Sequence, residues 1–180
     1  MTMPTTTIRR RSLLAALAAA PLAYAATSAT TAHAVDALPD SRFVGFAETI
    51  NDFMIRSGQL ALSKSQNELV RGFATRAIAE HTKLVSTLKR NRSEAGVSMA
   101  PHDATSQMTN NAMSQLNSLT GPQFDTAYAN AVMRAETSAV EQYGAYSQSG
   151  GSGPLRRYAQ ESLPVLRELS EYSKRLAGGR

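Results

Sequence analysis

From about residue 41 onward, apolar residues recur at spacings of three and four, and no stretch alternates polar and apolar over a strand's length, so this part of the chain reads as helical throughout. A first helix should open near Ser41 and bury Phe43, Phe46, Ala47, Ile50, Phe53, Met54, Ala61 and Leu62. Asn67 has the chemistry of an N-cap, and Glu68 just after it suits the positive end of a helix dipole. The second helix then carries Val70, Phe73, Ala74, Ala77, Ile78, His81, Leu84, Val85 and Leu88, and runs out towards Gly96. A more polar helix spans about Asp103 to Leu119 and offers only Met108, Ala112, Met113, Leu116 and Leu119 for burial. Gly121-Pro122 ends it and opens the next, proline being favoured at a first helical position. That fourth helix presents Phe124, Ala127, Tyr128, Ala131, Val132, Ala135, Ala139 and Tyr143, and stops at the linker Ser149-Gly150-Gly151-Ser152-Gly153. The last helix starts at Pro154 with the stripe Leu155, Tyr158, Ala159, Ser162, Leu166, Leu169, Tyr172 and Leu176, and a kink is expected where Pro164 removes a backbone hydrogen bond.

Two long helices, a connection holding a shorter one, and two more long helices is the order of an antiparallel four-helix bundle with one crossover, as in ferritin-like folds. The fold class expected is therefore all-α, with the short extra helix in the crossover.

The N-terminal end follows a different rule. Arg9, Arg10 and Arg11 precede an apolar run from Leu13 to Ala26, and small residues lead to Ala32-His33-Ala34. Basic region, apolar region and small residues at the cleavage site are the parts of a secretory signal in their usual order. The run has 14 residues and contains Pro21, short of the roughly 20 that span a bilayer. Residues 1–34 are thus expected to be a cleavable signal peptide and residues 35–180 the helical domain, exported to the periplasm or held at the envelope. Arg10-Arg11-Ser12-Leu13-Leu14 resembles a twin-arginine motif, and both that route and general secretion fit.

Removing that segment changes what the charge means. The whole chain is +5 with 19 basic residues, but 16 basic and 14 acidic side chains remain after residue 34, a net +2, so nucleic acid is not an expected partner. The absence of cysteine excludes disulfides, thiolate metal sites, a cysteine nucleophile and N-terminal lipidation on cysteine. With no transmembrane segment expected in the mature domain, any membrane association would be peripheral.

Three blocks carry a family resemblance: Phe73 to Lys83, Leu119 to Tyr128 with its Gly…Phe-Asp-x-x-Tyr pattern, and Tyr158 to Glu168 with Leu-Pro-x-Leu. In them the chain resembles the bacterial exported proteins often labelled predicted outer membrane proteins, a domain of unknown function with a ferritin-like bundle. The match covers roughly residues 43 to 176. An integral outer-membrane barrel would need many strands of alternating polarity, which this chain lacks. The resemblance implies a polar cluster inside the bundle: an acid in the first helix, an acid–histidine pair in the second, and histidines in the fourth and fifth. Those places here hold Met54, Glu80-His81, Glu136 and Leu169. The di-iron arrangement needs Glu-x-x-His on two helices, and Ile78 and Leu166 stand where the spacing would require ligands.

His81 lies on the apolar stripe and is expected to be buried, its nitrogens either satisfied by a backbone carbonyl, a water or a side chain from a facing helix, or paired with Glu136 from the fourth helix. One histidine and one glutamate fall short of the three or four protein ligands zinc usually takes, so no cofactor is expected, and a transition metal on His81 and Glu136 with a third ligand is the alternative. His102 should cap the helix after Pro101. Arg156 and Arg157 stand in the first turn of a helix, where free N–H groups attract anions; lipid phosphate or an acidic partner is the contact considered for them. No Gly-x-Ser-x-Gly elbow or Walker loop occurs. These readings converge on an exported helical-bundle component that binds or supports and is not an enzyme, with a metal- or redox-linked ferritin-like protein as the alternative.

Overall fold

The computed structural model describes residue 2 and residues 35–178; the expected signal peptide, apart from Thr2, lies outside the described residues. The described chain is all helical: α1 Asp40–Lys64, α2 Glu68–Ala95, α3 Asp103–Ser118, α4 Gly121–Ser149 and α5 Gly153–Ala177. Helix boundaries follow the local chemistry. The Asn67 side chain accepts hydrogen bonds from the Leu69 and Val70 amides and starts α2. Gly96 ends that helix in the left-handed region at φ 64°, where a side chain would be strained, and its N–H satisfies the Arg92 and Ser93 carbonyls. His102 caps α3 as expected, its Nδ1 accepting from the Thr105 amide at 3.4 Å, and its ring meets Phe46 edge-on. Pro164 sits inside α5 without ending it.

Each long helix packs on two others: α1 on α2, α2 on α5, α5 on α4, and α4 on α1, while α3 lies against α1 and α4. Both ends of α3 are fixed to α1. Lys64 donates to the carbonyls of Leu116, Asn117 and Leu119 at 3.0, 2.7 and 3.0 Å, placing a cation on the negative end of α3. At the other end, the Ala100 amide donates to Ser41 O. This close approach needs Gly45, because a Cβ there would come within 1.9 Å of Ala100 O. α3 therefore runs beside α1 in the same direction.

The apolar stripes meet in one continuous core. Phe43, Phe46, Phe73, Phe124, Tyr128, Tyr143, Tyr146 and Tyr158 are all essentially inaccessible. Phe43 stacks on Tyr146 with centroids 3.8 Å apart and meets Tyr143 edge-on at 5.1 Å. Several expected positions differ. Val85 is 41 % exposed at the α1–α2 seam. Ile78, Leu62, Tyr172 and Leu176 are half-buried, whereas Val44, Asn51, Ser57 and Leu163 are buried without having been expected.

Candidate functional site

Periodicity puts His81 at the centre of α2's buried face, with Ala77 one turn before it and Leu84 and Leu88 after it. Facing it, α4 supplies Glu136 and α1 supplies Asn51, and all three side chains are fully buried. His81 Nε2 lies 3.0 Å from Glu136 Oε1. On the opposite edge of the ring, Nδ1 lies 2.7 Å from Asn51 Oδ1. An amide oxygen can only accept, so Nδ1 carries a proton and donates it. The Nε2 edge faces the Glu136 carboxyl, and the contact joins α2 to α4. Polar groups this deeply buried are tolerated in a dry interior when they are turned on one another.

The cluster extends along the bundle. The hydroxyls of Tyr143 on α4 and Tyr158 on α5 share a 2.9 Å hydrogen bond. The Asn51 amide is close enough to favour the ionised forms of both phenols, but burial outweighs it and holds both well protonated. Burial, reinforced by the nearby Glu136 charge, likewise pushes the Tyr128 phenol far up. Four helices thus contribute to one polar line through an apolar core. It is incompletely satisfied: Glu136 Oε2, Asn51 Nδ2 and the Tyr128 hydroxyl are buried without a hydrogen-bond partner.

Of the sequence candidates, the fold brings His81 and Glu136 together and leaves the rest elsewhere. Glu80 is on another face, paired with exposed Lys83 at 3.0 Å. Met54 and Leu169 are buried in the apolar core. Arg156 donates to the Gly150 and Gly151 carbonyls, and Arg157 forms a two-point contact with Glu94 at 2.8 and 2.9 Å. Both guanidinium groups of that first turn are thereby engaged within the chain. Sequence reasoning missed Asn51, although it lies four residues after Ala47 and three before Met54, on the same buried face. Among the described residues, no group of three or more His, Cys, Asp or Glu comes together in a way that could hold a metal ion.

This geometry defines an all-helical bundle protein with a buried polar centre, and no catalytic constellation is evident among the described residues. The family model for the domain of unknown function DUF4142 matches residues 24–176, and the chain belongs to that family. The match begins inside the segment expected to be cleaved. No curated protein and no solved structure matches the chain. No described helix is long and apolar enough to cross a membrane.

Proposed function

We propose that this protein is an exported, ferritin-like four-helix bundle of the periplasm or envelope, close to the proteins labelled predicted outer membrane proteins, with a binding or structural role and no catalysis of its own. The observation that carries the proposal is the His81–Glu136–Asn51 centre. Its polar groups are fully buried and turned mainly on one another. Such a centre fixes how helices meet more than it adds stability, because desolvation offsets much of the attraction. The cycle of contacts among α1, α2, α5 and α4, with α3 in the long connection, supports the ferritin-like reading. Export rests on the arginine triplet, apolar run and Ala32-His33-Ala34. Fractionating cells that express the full chain, and sequencing the N-terminus of the product, tests it: cleavage after Ala34 is expected, and an uncleaved cytoplasmic protein contradicts it.

One observation favours a second reading, metal binding at His81 and Glu136. Metal-ligating histidines usually donate the other ring nitrogen to an oxygen acceptor, as His81 does to Asn51, and Glu136 Oε2 has no other partner. Elemental analysis of the protein isolated from its native compartment separates the two. The structural reading expects less than about one tenth of a metal per chain, whereas near-stoichiometric metal, given the usual ligand numbers, would replace it and require a third ligand.

A further inference from the structure

The seam between α1 and α2 carries a charge pattern that neither the buried centre nor the proposed role uses. On the α1 side stand Glu48 and Asp52, on the α2 side Lys89 and Arg92, and between them Ile55 and Val85 expose apolar surface. The two helices are antiparallel neighbours joined by a short turn. Glu48 and Arg92 form an ion pair across the seam and so fix one rung. One turn along, the same register sets Asp52 beside Lys89, and a further turn sets Ile55 beside Val85. One wall of the groove therefore carries carboxylates and the other cations at matching heights; Asp52, an exposed side chain, also pairs with Arg56 one turn along α1 at 3.2 Å and keeps its outer face open to a second cation. Val85 is 41 % exposed in the middle of α2, where Leu84 and Leu88 beside it are covered; the other exposed aliphatic of this helix, Leu69, lies in its first turn. Lys89 has no ion-pair partner among the described residues.

We propose that this seam binds a second copy of the chain in a two-fold symmetric dimer whose axis runs along the groove. A rotation about that axis carries α1 of one protomer onto α2 of its partner without changing height. Each acidic wall then meets a basic wall, Asp52 faces the partner's Lys89 twice, and the Ile55–Val85 strip meets itself. This is the self-complementarity a two-fold interface requires. A perpendicular in-plane axis would oppose like walls, so the charge pattern selects one arrangement. Helices of 25 and 28 residues provide edges of about 37–42 Å, long enough for an interface of ordinary size.

Sedimentation velocity on the mature protein, on Asp52→Lys, on Lys89→Asp and on an equimolar mixture of the two variants tests the proposal. Wild type should dimerise, and more weakly in high salt. Each variant alone juxtaposes like charges and should dimerise about tenfold or more weakly, while the mixture, in which every lysine again meets an aspartate, should recover the wild-type affinity. The substituted side chains are exposed, and unchanged circular dichroism checks the fold. A wild-type protein that stays monomeric at about 100 μM would overturn the proposal. So would a dimer that both variants leave intact, or one that the mixture fails to restore.

Discussion

Glu136 and Asp40 are both carboxylates that tie helices together, and the fold treats them in opposite ways. Asp40 opens α1, and its Oδ1 accepts from the Tyr146 hydroxyl at 2.6 Å and from the Gly151 and Ser152 amides at 3.1 and 3.2 Å. It closes the α4–α5 turn onto the start of α1 at a half-buried place where water still shares the charge. Glu136 lies in the centre with no accessible surface, one hydrogen bond to His81 and one unpartnered oxygen. The first arrangement stabilises with little desolvation to overcome. On the structural reading proposed above, the second specifies which helix faces meet, and it makes the fold depend on an intact partner.

The comparison breaks hardest at the centre. Glu136→Leu leaves His81 Nε2 buried without a partner and should cost about 3–5 kcal/mol in denaturant unfolding. At the corner, Asp40→Ala releases three donors to partial solvent and should cost about 1–3 kcal/mol, while Asp40→Asn, which keeps an acceptor oxygen, should recover part of that loss. Tyr158→Phe removes the bond to Tyr143 from the polar line and should cost about 1 kcal/mol by the same measurement.

Alkali probes both regions together. Burial raises the phenols of Tyr128, Tyr143 and Tyr158, and burial together with the Asp40 carboxylate raises that of Tyr146. Their protons are held more tightly in the fold than in the unfolded chain. Stability from this source is therefore intact below the ordinary tyrosine range near pH 10 and declines as the pH rises above it. Absorbance at 295 nm and far-UV circular dichroism followed together should show these tyrosines ionising only as the helices melt. Ionisation of all of them near pH 10 in a folded protein would mean that the centre is open to water.

The helices were legible in the sequence because burial here follows a 3.6-residue period and the breaks carry Asn67, Gly96, Gly121-Pro122 and the Gly150 linker. The pairing of His81 with Glu136 was open to inference, since each lies on or beside a stripe. Asn51 was not found, because an asparagine among apolar residues gives no sign of which atom it will meet across the core. The resemblance pointed one turn further along, to Met54. Gly45 and Gly58 also escaped, because what they permit belongs to a neighbouring segment: a Cβ on Gly58 would strike Ile78 of α2 at 2.8 Å. Val85 was expected inside and lies at an edge, where α1 stops covering α2. Arg156 and Arg157 looked available because their partners, the Gly150 and Gly151 carbonyls and Glu94, come together only in the folded chain.

The claim that the centre organises the helices without carrying chemistry is tested most directly by replacing it whole. We expect the triple variant Asn51→Leu, His81→Leu, Glu136→Leu, measured by denaturant unfolding, to keep a single cooperative transition within about 1 kcal/mol of wild type, since no buried polar group of the triad is then left unpaired. A loss of about 3–5 kcal/mol, as large as that expected for Glu136→Leu alone, would contradict the account.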